Sequence, residues 1–360
     1  MKVAIIHYWL VSMRGGEKVL EALCELFPQA DIFTHVYAPQ TISETIGRHK
    51  VTTTFIQKLP AAEKLYQTYL PLMPLALEKL DLRSYDLIIS SESGPSKGVI
   101  TRPDALHICY CHTPMRYVWD MYHDYFETTG GITRKLMPYL THYLRMWDYA
   151  SAARVDHFIA NSSFVAQRIN KCYRRDAQVI HPPVSTGDFR ISDKQDDFYL
   201  MVGQLVRYKR ADLAVDAFNR NGKRLVIIGD GEQRKDLERM AKSNITVMGK
   251  QPFKVIADHY SRCKALIFPG VEDFGIVPVE AMASGRPVIA FKKGGALETV
   301  VENKTGLFFD EQTPDSLLDA LTRFEKIEQE FDRDEIVRHA KKFDKQVFKD
   351  KILELIKSIK

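Results

Sequence analysis

Cysteine is scarce in this 360-residue chain, and long runs of apolar residues are missing. The five cysteines are an odd, scattered set, which excludes a disulfide-stapled fold and favours a reducing, cytoplasmic setting. No stretch approaches the roughly 18 consecutive apolar residues that a membrane span requires. The first residues turn polar too early for a secretory signal and instead predict a β-strand.

Two common phosphate-binding signatures are also missing. The chain has no P-loop sequence, and its nearest approach to a dinucleotide-binding fingerprint, Gly229-Asp230-Gly231, has Arg234 where the third glycine belongs. A P-loop NTPase and a Rossmann dehydrogenase are therefore disfavoured. A metal site is rejected as well, because Cys109, Cys111 and His112 have no second Cys/His cluster to complete a tetrahedral set.

The net charge is mildly positive, at +5, but the excess is local. Between residues 130 and 175 there are eight Lys and Arg against two Asp, with tyrosines and a tryptophan interleaved. This pattern indicates a surface for an acidic partner, such as an anionic lipid, a lipid diphosphate or a nucleic acid. It is equally typical of a helix with a solvated basic face.

The composition, with 45% hydrophobic and 27% charged residues, is that of a globular protein, and the length allows about two domains. Short β-branched runs alternate with amphipathic stretches, as where the predicted strand Val3–His7 precedes the predicted helix Glu17–Leu26 and a strand-like run follows at Asp31–Tyr37. In the second half, Phe253–Arg262 is a predicted helix. This rhythm predicts parallel α/β sheets covered by helices. Two prolines at 182–183 interrupt it before it restarts at Phe198–Val202. We therefore expect domains at 1–185 and 186–345, and a C-terminal helix at 346–360 that packs toward the first domain.

Two loops at predicted strand ends are suited to bind an anion. Gly15 and Gly16 follow the first strand and open a helix, where backbone N–H groups can approach a phosphate, although a plain strand–helix connection would look the same. In the second domain, the loop 203–210 contains Arg207 and Lys209, which could neutralise a diphosphate. Cations oppose the positive end of a helix, so their presence there favours an anionic ligand over a simple basic helix start.

The most informative string runs from Phe268 to Ala290. A predicted strand ends in a Pro-Gly turn, backbone amides follow at 274–277, and a helix then begins. Glu272 lies before the helix and Glu280 about one turn inside it, so one carboxylate can face a sugar and the other a ribose, with the helix N-terminus directed at phosphate. The spacing of the two glutamates proves nothing alone, since Glu17 and Glu25 share it.

The whole string resembles the Glu-x7-Glu region of the retaining family 4 glycosyltransferases, whose GT-B fold has two facing Rossmann-like domains with a cleft between them. The resemblance covers nearly the entire chain. It includes the segments Gly15–Glu17, His112–Pro114, Ala160–Ser162, Pro182–Val184, the Arg207/Lys209 loop, Gly229–Gly231, and Gly294–Gly295 with Glu298. Residues 111–120 and 208–214 resemble, within that family, bacterial GDP-mannose-dependent mannosyltransferases of surface-polysaccharide assembly.

The resemblance implies which residues hold the donor diphosphate. The glycine loop, Gly15 and Gly16, meets it in the first domain, and Lys209 meets it in the second. Gln204 stands where the family has an arginine, so this chain departs from the pattern at that position. Arg207, three residues on, is expected to supply the missing charge.

The remaining implied contacts are with the sugar and the nucleoside. His112 and Glu272 are implied as catalytic residues that contact the donor sugar near the reacting centre. Without the family match, His112 would be interpreted as a structural histidine before a Thr-Pro turn. The other implied donor contacts are the amides of Phe274 and Gly275 to the sugar, those of Ile276 and Val277 to the diphosphate, Glu280 to the ribose, and the backbone of Gly249 and Lys250 to the base.

We expect no metal or other cofactor. A metal-dependent GT-A enzyme would need an Asp-x-Asp after a strand, whereas the one such triplet, Asp332-Arg333-Asp334, lies in the predicted helical tail. Cationic side chains and helix dipoles can stabilise a leaving diphosphate instead.

The resemblance implies a retaining hexosyltransferase that moves α-mannose from GDP-mannose to a saccharide in polysaccharide or lipopolysaccharide O-antigen synthesis. The acceptor is expected to be lipid-linked and bound by the first domain, where the basic segment 130–175 and the apolar stretch 65–73 suit peripheral contact with the inner face of the cytoplasmic membrane. Nucleic acid is not an expected partner. The alternatives are a UDP-sugar donor (GlcNAc, glucose or galactose), a sugar-nucleotide epimerase, and a binding-only paralogue.

Overall fold

The structure is a computed structural model that describes residues 1–128 and 130–359. It divides into two compact units. Unit 1 contains Met1–His181 and the chain from Lys351 onward, and unit 2 contains Pro182–Asp350. Lys360, the last residue of the predicted C-terminal helix, lies outside the described residues. No described helix combines the length and the apolar character that crossing a membrane requires.

Unit 1 is built on a seven-stranded sheet whose neighbouring strands all pair in parallel. Its strands are β1 (Val3–His7), β2 (Asp31–Thr34), β3 (Val51–Thr53), β4 (Leu87–Glu92), β5 (Leu106–Cys111), β6 (His157–Ala160) and β7 (Ala177–Val179). The order across the sheet is β3-β2-β1-β4-β5-β6-β7. Strands β2 and β3 therefore lie on one side of β1, and strands β4 to β7 lie on its other side.

Helices connect these strands, as parallel pairing requires. The helices of unit 1 are α1 (Gly15–Leu26), α2 (Glu44–Gly47), α3 (Ala62–Leu65), α4 (Met73–Glu78), α5 (Tyr122–Thr128), α6 (Gly131–Ser151) and α7 (Ser163–Tyr173). Single 3₁₀ segments lie at 39–41, 55–58, 66–72 and 152–154. All five residues of β1 and all six of β4 are buried, which is the pattern of central strands covered on both faces.

Unit 2 repeats this plan with a six-stranded parallel sheet in the order β10-β9-β8-β11-β12-β13. Its strands are β8 (Tyr199–Val202), β9 (Leu225–Ile228), β10 (Ile245–Gly249), β11 (Leu266–Phe268), β12 (Val288–Phe291) and β13 (Gly306–Phe309). Its helices are α8 (Ala211–Asn221), α9 (Arg234–Met240), α10 (Phe253–Arg262), α11 (Ile276–Ala283), α12 (Ala296–Thr299), α13 (Pro314–Ile327) and α14 (Arg333–Ala340). The last helix, α15 (Lys345–Ile359), begins in unit 2 and continues into unit 1.

The predicted α/β class is confirmed, with two parallel sheets and a helical C-terminal region. β1 and α10 have the bounds that the sequence pattern predicts. The run predicted as a strand over Asp31–Tyr37 ends earlier, at Thr34. β3 was not predicted; it is a three-residue strand at the edge of the sheet, with too few residues to show a period.

The basic segment 130–175 is not one helix with a solvated basic face, because it contains α6, β6 and α7. Several of its arginines are engaged within unit 1. Arg154 pairs with Glu78 at 2.8 Å, and Arg168 pairs with Asp120 at 2.8 Å. Arg175 donates to backbone carbonyls near the end of α6 and the start of β6. Much of the local charge excess is therefore used to hold the fold.

Candidate active site

The sheet of unit 2 changes direction between β8 and β11, the place where ligands bind in open α/β sheets. Leu200 of β8 is in register with Leu266 of β11, so the loops that follow the two strands leave the sheet side by side. The loop after β8 contains Arg207 and Lys209, and the loop after β11 contains Glu272. Three predicted site residues thus come from two neighbouring strand ends.

Lys209 and Glu272 form an ion pair in which Nζ lies 2.9 Å from Oε1. The two side chains are only 14% and 20% exposed, respectively, so the pair is shielded but open to a ligand. Burial lowers the pKa of Lys209, but the nearby Glu272 carboxylate, together with Tyr208 and Glu280, outweighs burial and leaves this pKa above its usual range. Lys209 is therefore a permanent cation beside the strand ends.

Helix α11 begins directly after this loop. Gly275 precedes it at φ +91°, a left-handed conformation that L side chains rarely adopt, and so lets the chain turn sharply into the helix. The Phe274 ring is buried against Phe343, with ring centroids 5.5 Å apart, so its backbone is what can face a ligand. The first turn, which includes Ile276 and Val277, directs unpaired helix amides away from the helix end.

Glu280 lies one turn inside α11 and is held by a buried tyrosine. The Tyr260 hydroxyl donates to Glu280 Oε2 at 2.9 Å. Burial, followed by the Glu280 charge, raises the pKa of Tyr260 well above its usual range, so this hydroxyl keeps its proton and remains a donor. One carboxylate oxygen is thereby fixed in orientation.

The other predicted residues of unit 2 are more scattered. Gln204 and Arg207 are exposed, and Arg207 begins the 3₁₀ turn Arg207–Lys209. Gly249 and Lys250 lie at the carboxyl end of β10, two positions from β8 in the sheet. All four are at the same edge of the sheet as the Lys209–Glu272 pair, because the strands are parallel.

Gly15, Gly16 and His112 belong to unit 1, where the sheet changes direction between β1 and β4. Gly16 lies in the first turn of α1, and a Cβ built there would come within 2.3 Å of the Tyr8 hydroxyl and 3.6 Å of His112 Nε2. The clash with the buried Tyr8 side chain disfavours any residue but glycine here, whereas the 3.6 Å approach to His112 is ordinary van der Waals contact. The structure therefore places the glycine loop beside His112, as a shared site in unit 1 requires.

His112 follows β5 and is held through both its backbone and its ring. Its carbonyl accepts from Asn161 Nδ2 at 2.9 Å, and its Nε2 is 2.9 Å from Ser91 Oγ. Loss of water around the ring, reinforced by the nearby His7, lowers the pKa of His112 to about 3. The imidazole is therefore neutral at physiological pH and can accept or donate a hydrogen bond without carrying charge.

Three residues behind His112 were missed by the sequence analysis. His7 ends β1, Ser91 lies in β4, and Glu17 is in the first turn of α1; all three are buried. The available signal was the presence of polar residues at the carboxyl ends of otherwise apolar strands. The sequence places Glu17 in the Gly15–Glu17 segment and at the start of a predicted helix, but gives it no role in the site.

A second buried polar cluster stabilises unit 1 near the same strand ends. Lys97 pairs with Glu92 at 2.6 Å and also with Asp148 of α6. Asp148 accepts from Trp119 Nε1 at 2.7 Å and from the Tyr173 hydroxyl at 2.8 Å. All the charged groups of this cluster are fully buried, so it joins β4, α6 and α7 as a structural network rather than as a ligand site.

Within residues 1–128 and 130–359, no group of three or more His, Cys, Asp and Glu side chains is arranged to hold a metal ion. The chemistry available at the two strand-end sites is of three kinds. Unit 2 offers a cation paired with a carboxylate, together with helix amides. Unit 1 offers a neutral imidazole. A cation and helix amides suit a diphosphate, and carboxylate and imidazole suit sugar hydroxyls.

Comparison with known proteins identifies the class. The model for "Glycosyltransferase Family 4" matches residues 13–188, and the model for "Glycosyl transferases group 1" matches residues 188–343. The two matches meet at residue 188 and together cover residues 13–343, which is most of both units. The chain belongs to the family 4 glycosyltransferases of GT-B fold.

Individual relatives agree with this family at modest identity. The chain is 27% identical over 295 residues to the α-1,3/1,6-mannosyltransferase alg2 of Schizosaccharomyces pombe, covering 67% of this chain and 55% of that protein. It is 28% identical over 163 residues to the O-antigen chain mannosyltransferase RfbU of Salmonella typhimurium, covering 41% of this chain and 45% of that protein. The chain thus spans about half the length of the curated relatives it matches.

The fold also matches solved structures over its whole length. The crystal structure of Anabaena Alr3699/HepE in complex with UDP has a TM-score of 0.72 and 16% identity, and covers 99% of this chain and 100% of that one. At 16% identity, this match supports the fold and no statement about function.

Proposed function

We propose that the protein transfers a hexose from a nucleotide-sugar donor, GDP-mannose, to a saccharide acceptor with retention of the anomeric configuration. The observation that carries the proposal is the Lys209–Glu272 pair, 2.9 Å apart, at neighbouring strand ends beside the N-terminus of α11. The cation and the helix amides bind the diphosphate, and the carboxylate binds hydroxyls of the sugar. Mannose as the sugar rests on the likeness to the mannosyltransferases alg2 and RfbU.

The reaction as proposed needs no metal ion. Lys209 is charged at every physiological pH, and with the first-turn amides of α11 it can offset the charge that develops on the leaving diphosphate. His112, being neutral, contacts the sugar as a hydrogen-bonding partner and does not add a second cation. A test is transfer in the presence of EDTA: undiminished turnover supports the proposal, and activity restored only by a divalent ion contradicts it.

The donor is tested by a thermal-shift screen of GDP, UDP, GDP-mannose, UDP-GlcNAc, UDP-glucose and UDP-galactose. A ligand at 100 times its Kd stabilises the folded protein by about 2.7 kcal/mol, so the right nucleotide stands out. We expect GDP and GDP-mannose to raise the melting temperature most. A second candidate is a UDP-sugar donor, favoured by the likeness to a structure holding UDP; selective stabilisation by UDP compounds would establish it.

Group transfer is distinguished from epimerisation by its need for an acceptor. A transferase releases nucleoside diphosphate in proportion to the acceptor supplied, whereas an epimerase turns over the nucleotide sugar alone. We expect release of GDP only when a saccharide acceptor is added. Steady turnover without acceptor would favour the epimerase, and binding without any turnover would favour a binding-only paralogue.

We propose a lipid-linked saccharide as acceptor, in polysaccharide or O-antigen synthesis at the cytoplasmic face of a membrane that the protein contacts peripherally. Helix α6 supports this, because large apolar side chains recur on it every three or four residues and remain exposed: Leu136, Tyr139, Leu140, Tyr143 and Met146. Arg134 and Lys135 lie in the same helix and can attract anionic lipid.

Membrane contact is tested by flotation with vesicles of phosphatidylglycerol and phosphatidylcholine. The wild-type chain should float with anionic vesicles, and a variant with Tyr139→Ser and Tyr143→Ser should float less. Ile100→Ser is a matched control, since Ile100 is also exposed in unit 1 but lies outside both α6 and the stretch 65–73. Absence of wild-type binding at low salt would contradict the membrane part of the proposal without touching the transfer reaction.

A further inference from the structure

A line of polar side chains runs through the interior of unit 1 and ends on His112. Ser91 Oγ lies 2.9 Å from His112 Nε2 and 3.0 Å from His7 Nδ1. The other ring nitrogen of His7, Nε2, lies 3.7 Å from Glu17 Oε1. Four residues from three strand ends and one helix are therefore arranged in the sequence Glu17, His7, Ser91, His112.

Strand register explains why these residues meet. His7 and Ser91 are direct partners in the parallel pairing of β1 with β4. In the next pairing, Glu92 is in register with Cys111, so His112 begins just beyond the end of β5. Glu17 reaches the line from the first turn of α1, and its second oxygen, Oε2, is fixed by the Arg14 backbone amide at 2.8 Å.

The line is sealed from water except at His112. Ser91, His7 and Glu17 are 0%, 1% and 2% exposed, whereas His112 is partly exposed. His7 Nε2 is buried and has no hydrogen-bond partner within bonding distance, and the Glu17 carboxylate faces it from 3.7 Å. Burial of an isolated carboxylate is costly, and an N–H directed at it offsets part of that cost.

The Glu17 carboxylate determines which group donates and which accepts in each hydrogen bond of the line. An ionised carboxylate can only accept, so the proton of His7 belongs on Nε2, facing Glu17. His7 Nδ1 then accepts from the Ser91 hydroxyl. Ser91 Oγ, which donates a hydrogen bond to His7 Nδ1, accepts one from His112 Nε2–H. The lone pair of the His112 ring is consequently on Nδ1.

We propose that Glu17, His7 and Ser91 are positioning residues that orient His112 and hold its neutral ring in the tautomer with the proton on Nε2 and the acceptor on Nδ1. The proposal rests on the proposed function for its consequence, which is that Nδ1 accepts a hydrogen bond from a hydroxyl of the bound donor sugar. With a neutral His7 ring, the reverse direction would place the lone pair of His7 Nε2 against the Glu17 carboxylate, which is repulsive. A His7 ring protonated on both nitrogens would instead give the Nδ1–H tautomer of His112, and the measurement of that tautomer excludes or establishes this case.

Burial raises the pKa of the Glu17 carboxyl, but His7 and the amides of Glu17 and Arg14 outweigh burial and hold that pKa below its usual range. The carboxylate is therefore charged at neutral pH, as the direction of the line requires. The groups that face the His112 ring from the elements around it are His7 and Glu17, with the Tyr8 and Tyr110 rings packed at centroid distances of 6.5 Å and 5.2 Å. Both tyrosines have pKa values raised by burial and stay neutral.

A structural alternative is that Glu17 merely caps α1, since Oε2 accepts from the residue preceding the helix. Loss of a cap lowers stability but leaves the protonation of a distant imidazole unchanged. The tautomer of His112 is therefore the observation that separates the two explanations.

The experiment uses the full chain labelled with [¹⁵N]histidine and records two-bond ¹H–¹⁵N correlation spectra at pH 7.5. The signals of His112 are assigned by their loss in His112→Gln. We expect the wild type to show the Nε2–H tautomer. Ser91→Ala removes the acceptor and Glu17→Gln removes the charge, so each should raise the ratio of Nδ1–H to Nε2–H at least tenfold.

Glu21→Gln is the matched control. Glu21 is also in α1, but it pairs with Lys18 at 3.1 Å and not with the line, so its variant should leave the His112 spectrum unchanged. If Glu17→Gln does not fold, the tautomers of His112 in the wild type and in Ser91→Ala still test the proposal. A wild type protonated on Nδ1, or two folded variants with the wild-type tautomer, would overturn the proposal.

Kinetics give an independent reading once donor and acceptor are known. Ser91→Ala and Glu17→Gln should lower kcat ten- to a hundredfold, because a misplaced partner near the reacting centre has that effect, while the donor KM changes less than threefold. An unchanged kcat in folded variants with an altered tautomer would refute the catalytic consequence. A wild type that transfers no sugar would count against the proposed function, and the tautomer result would stand by itself.

Discussion

Replacing Lys209 with methionine removes the cation of the candidate site while keeping the length and much of the volume of the side chain. Its ammonium group lies 2.9 Å from Glu272 Oε1 in the unliganded protein. Both side chains are mostly buried, with 14% and 20% of their surface exposed, so removing the cation leaves a shielded carboxylate and should lower the free energy of unfolding by about 1–3 kcal/mol. Lys209→Met should therefore still fold, with a melting temperature modestly below that of the wild type.

Binding of the nucleoside diphosphate should weaken as well. A charge-assisted hydrogen bond contributes about 1.5–3 kcal/mol, which corresponds to a loss of affinity of roughly 10- to 150-fold. Without Lys209, the Glu272 carboxylate also remains near the diphosphate as an uncompensated negative charge, which adds to the loss. Glu272→Gln should have the opposite signature: GDP binds as well as before or better, while GDP-mannose loses affinity and turnover falls.

Both effects are measured by isothermal titration calorimetry, in which GDP and GDP-mannose are titrated into the wild type, Lys209→Met and Glu272→Gln. If the donor screen selects UDP compounds, UDP and the UDP-sugar replace GDP and GDP-mannose in these titrations. Lys326→Met is the matched control, because Lys326 is an exposed lysine on α13 of the same unit. Equal affinity of GDP for Lys209→Met and Lys326→Met would refute the assignment of Lys209 to the diphosphate. A parallel loss of GDP and GDP-mannose in Glu272→Gln would refute the sugar contact.

Three further predictions concern the fold around the site. Lys97→Met should lower the free energy of unfolding by about 3–5 kcal/mol, measured by urea denaturation, because it leaves two fully buried carboxylates without their cation; a loss under 1 kcal/mol would contradict this. Gly16→Ala should weaken donor binding at least tenfold and lower the melting temperature, since the added Cβ would lie 2.3 Å from the Tyr8 hydroxyl; Gly47→Ala in the same unit is the control, because a Cβ there meets nothing closer than the Tyr37 hydroxyl at 3.9 Å. Burial lowers the pKa values of His35 and His107 to about 4, so both are neutral when folded and take up protons on unfolding below pH 6.5. His112, whose pKa is lowered to about 3, is a third such group, so stability should fall by about 4 kcal/mol between pH 7.5 and 5.5, and a urea midpoint that does not fall over that range would contradict it.

The fold was predictable where local signals and global structure agree. The Val3–His7 run predicts a strand because five successive residues can be buried in a two-sided parallel sheet, and the structure buries all five. Phe253–Arg262 predicts a helix from its amphipathic period, and α10 has those bounds. α6 was harder to locate, because Pro138 lies inside it and its many polar and exposed aromatic residues hide a core-facing stripe.

The sequence predicts which residues belong to the candidate site, but it does not predict which of their side chains are in contact. Loops after strands in a parallel sheet share one edge, so the sequence could place Lys209 and Glu272 at that edge. Their 2.9 Å approach depends on β8 and β11 being neighbours, although Lys209 and Glu272 are 63 positions apart in the sequence. The line from Glu17 to His112 depends likewise on the register of β1 with β4, which no local pattern contains.

The two units use the same location in their sheets for different chemistry. In unit 1 the line crosses from β1 to β4, and in unit 2 the ion pair crosses from β8 to β11; each is the boundary at which the strand order reverses. Connections diverge from such a boundary, so the strand ends there stay uncovered and side chains from both strands can meet.

Unit 2 places a permanent cation at its boundary, which suits a diphosphate that is negative in every state of the reaction. Unit 1 places an imidazole whose pKa is lowered to about 3, which suits a sugar hydroxyl that is neutral before transfer. Burial lowers both pKa values, but at Lys209 the Glu272 carboxylate in direct contact outweighs it. At His112 burial dominates, because the Glu17 carboxylate lies behind His7 and Ser91 and its charge offsets only part of the shift.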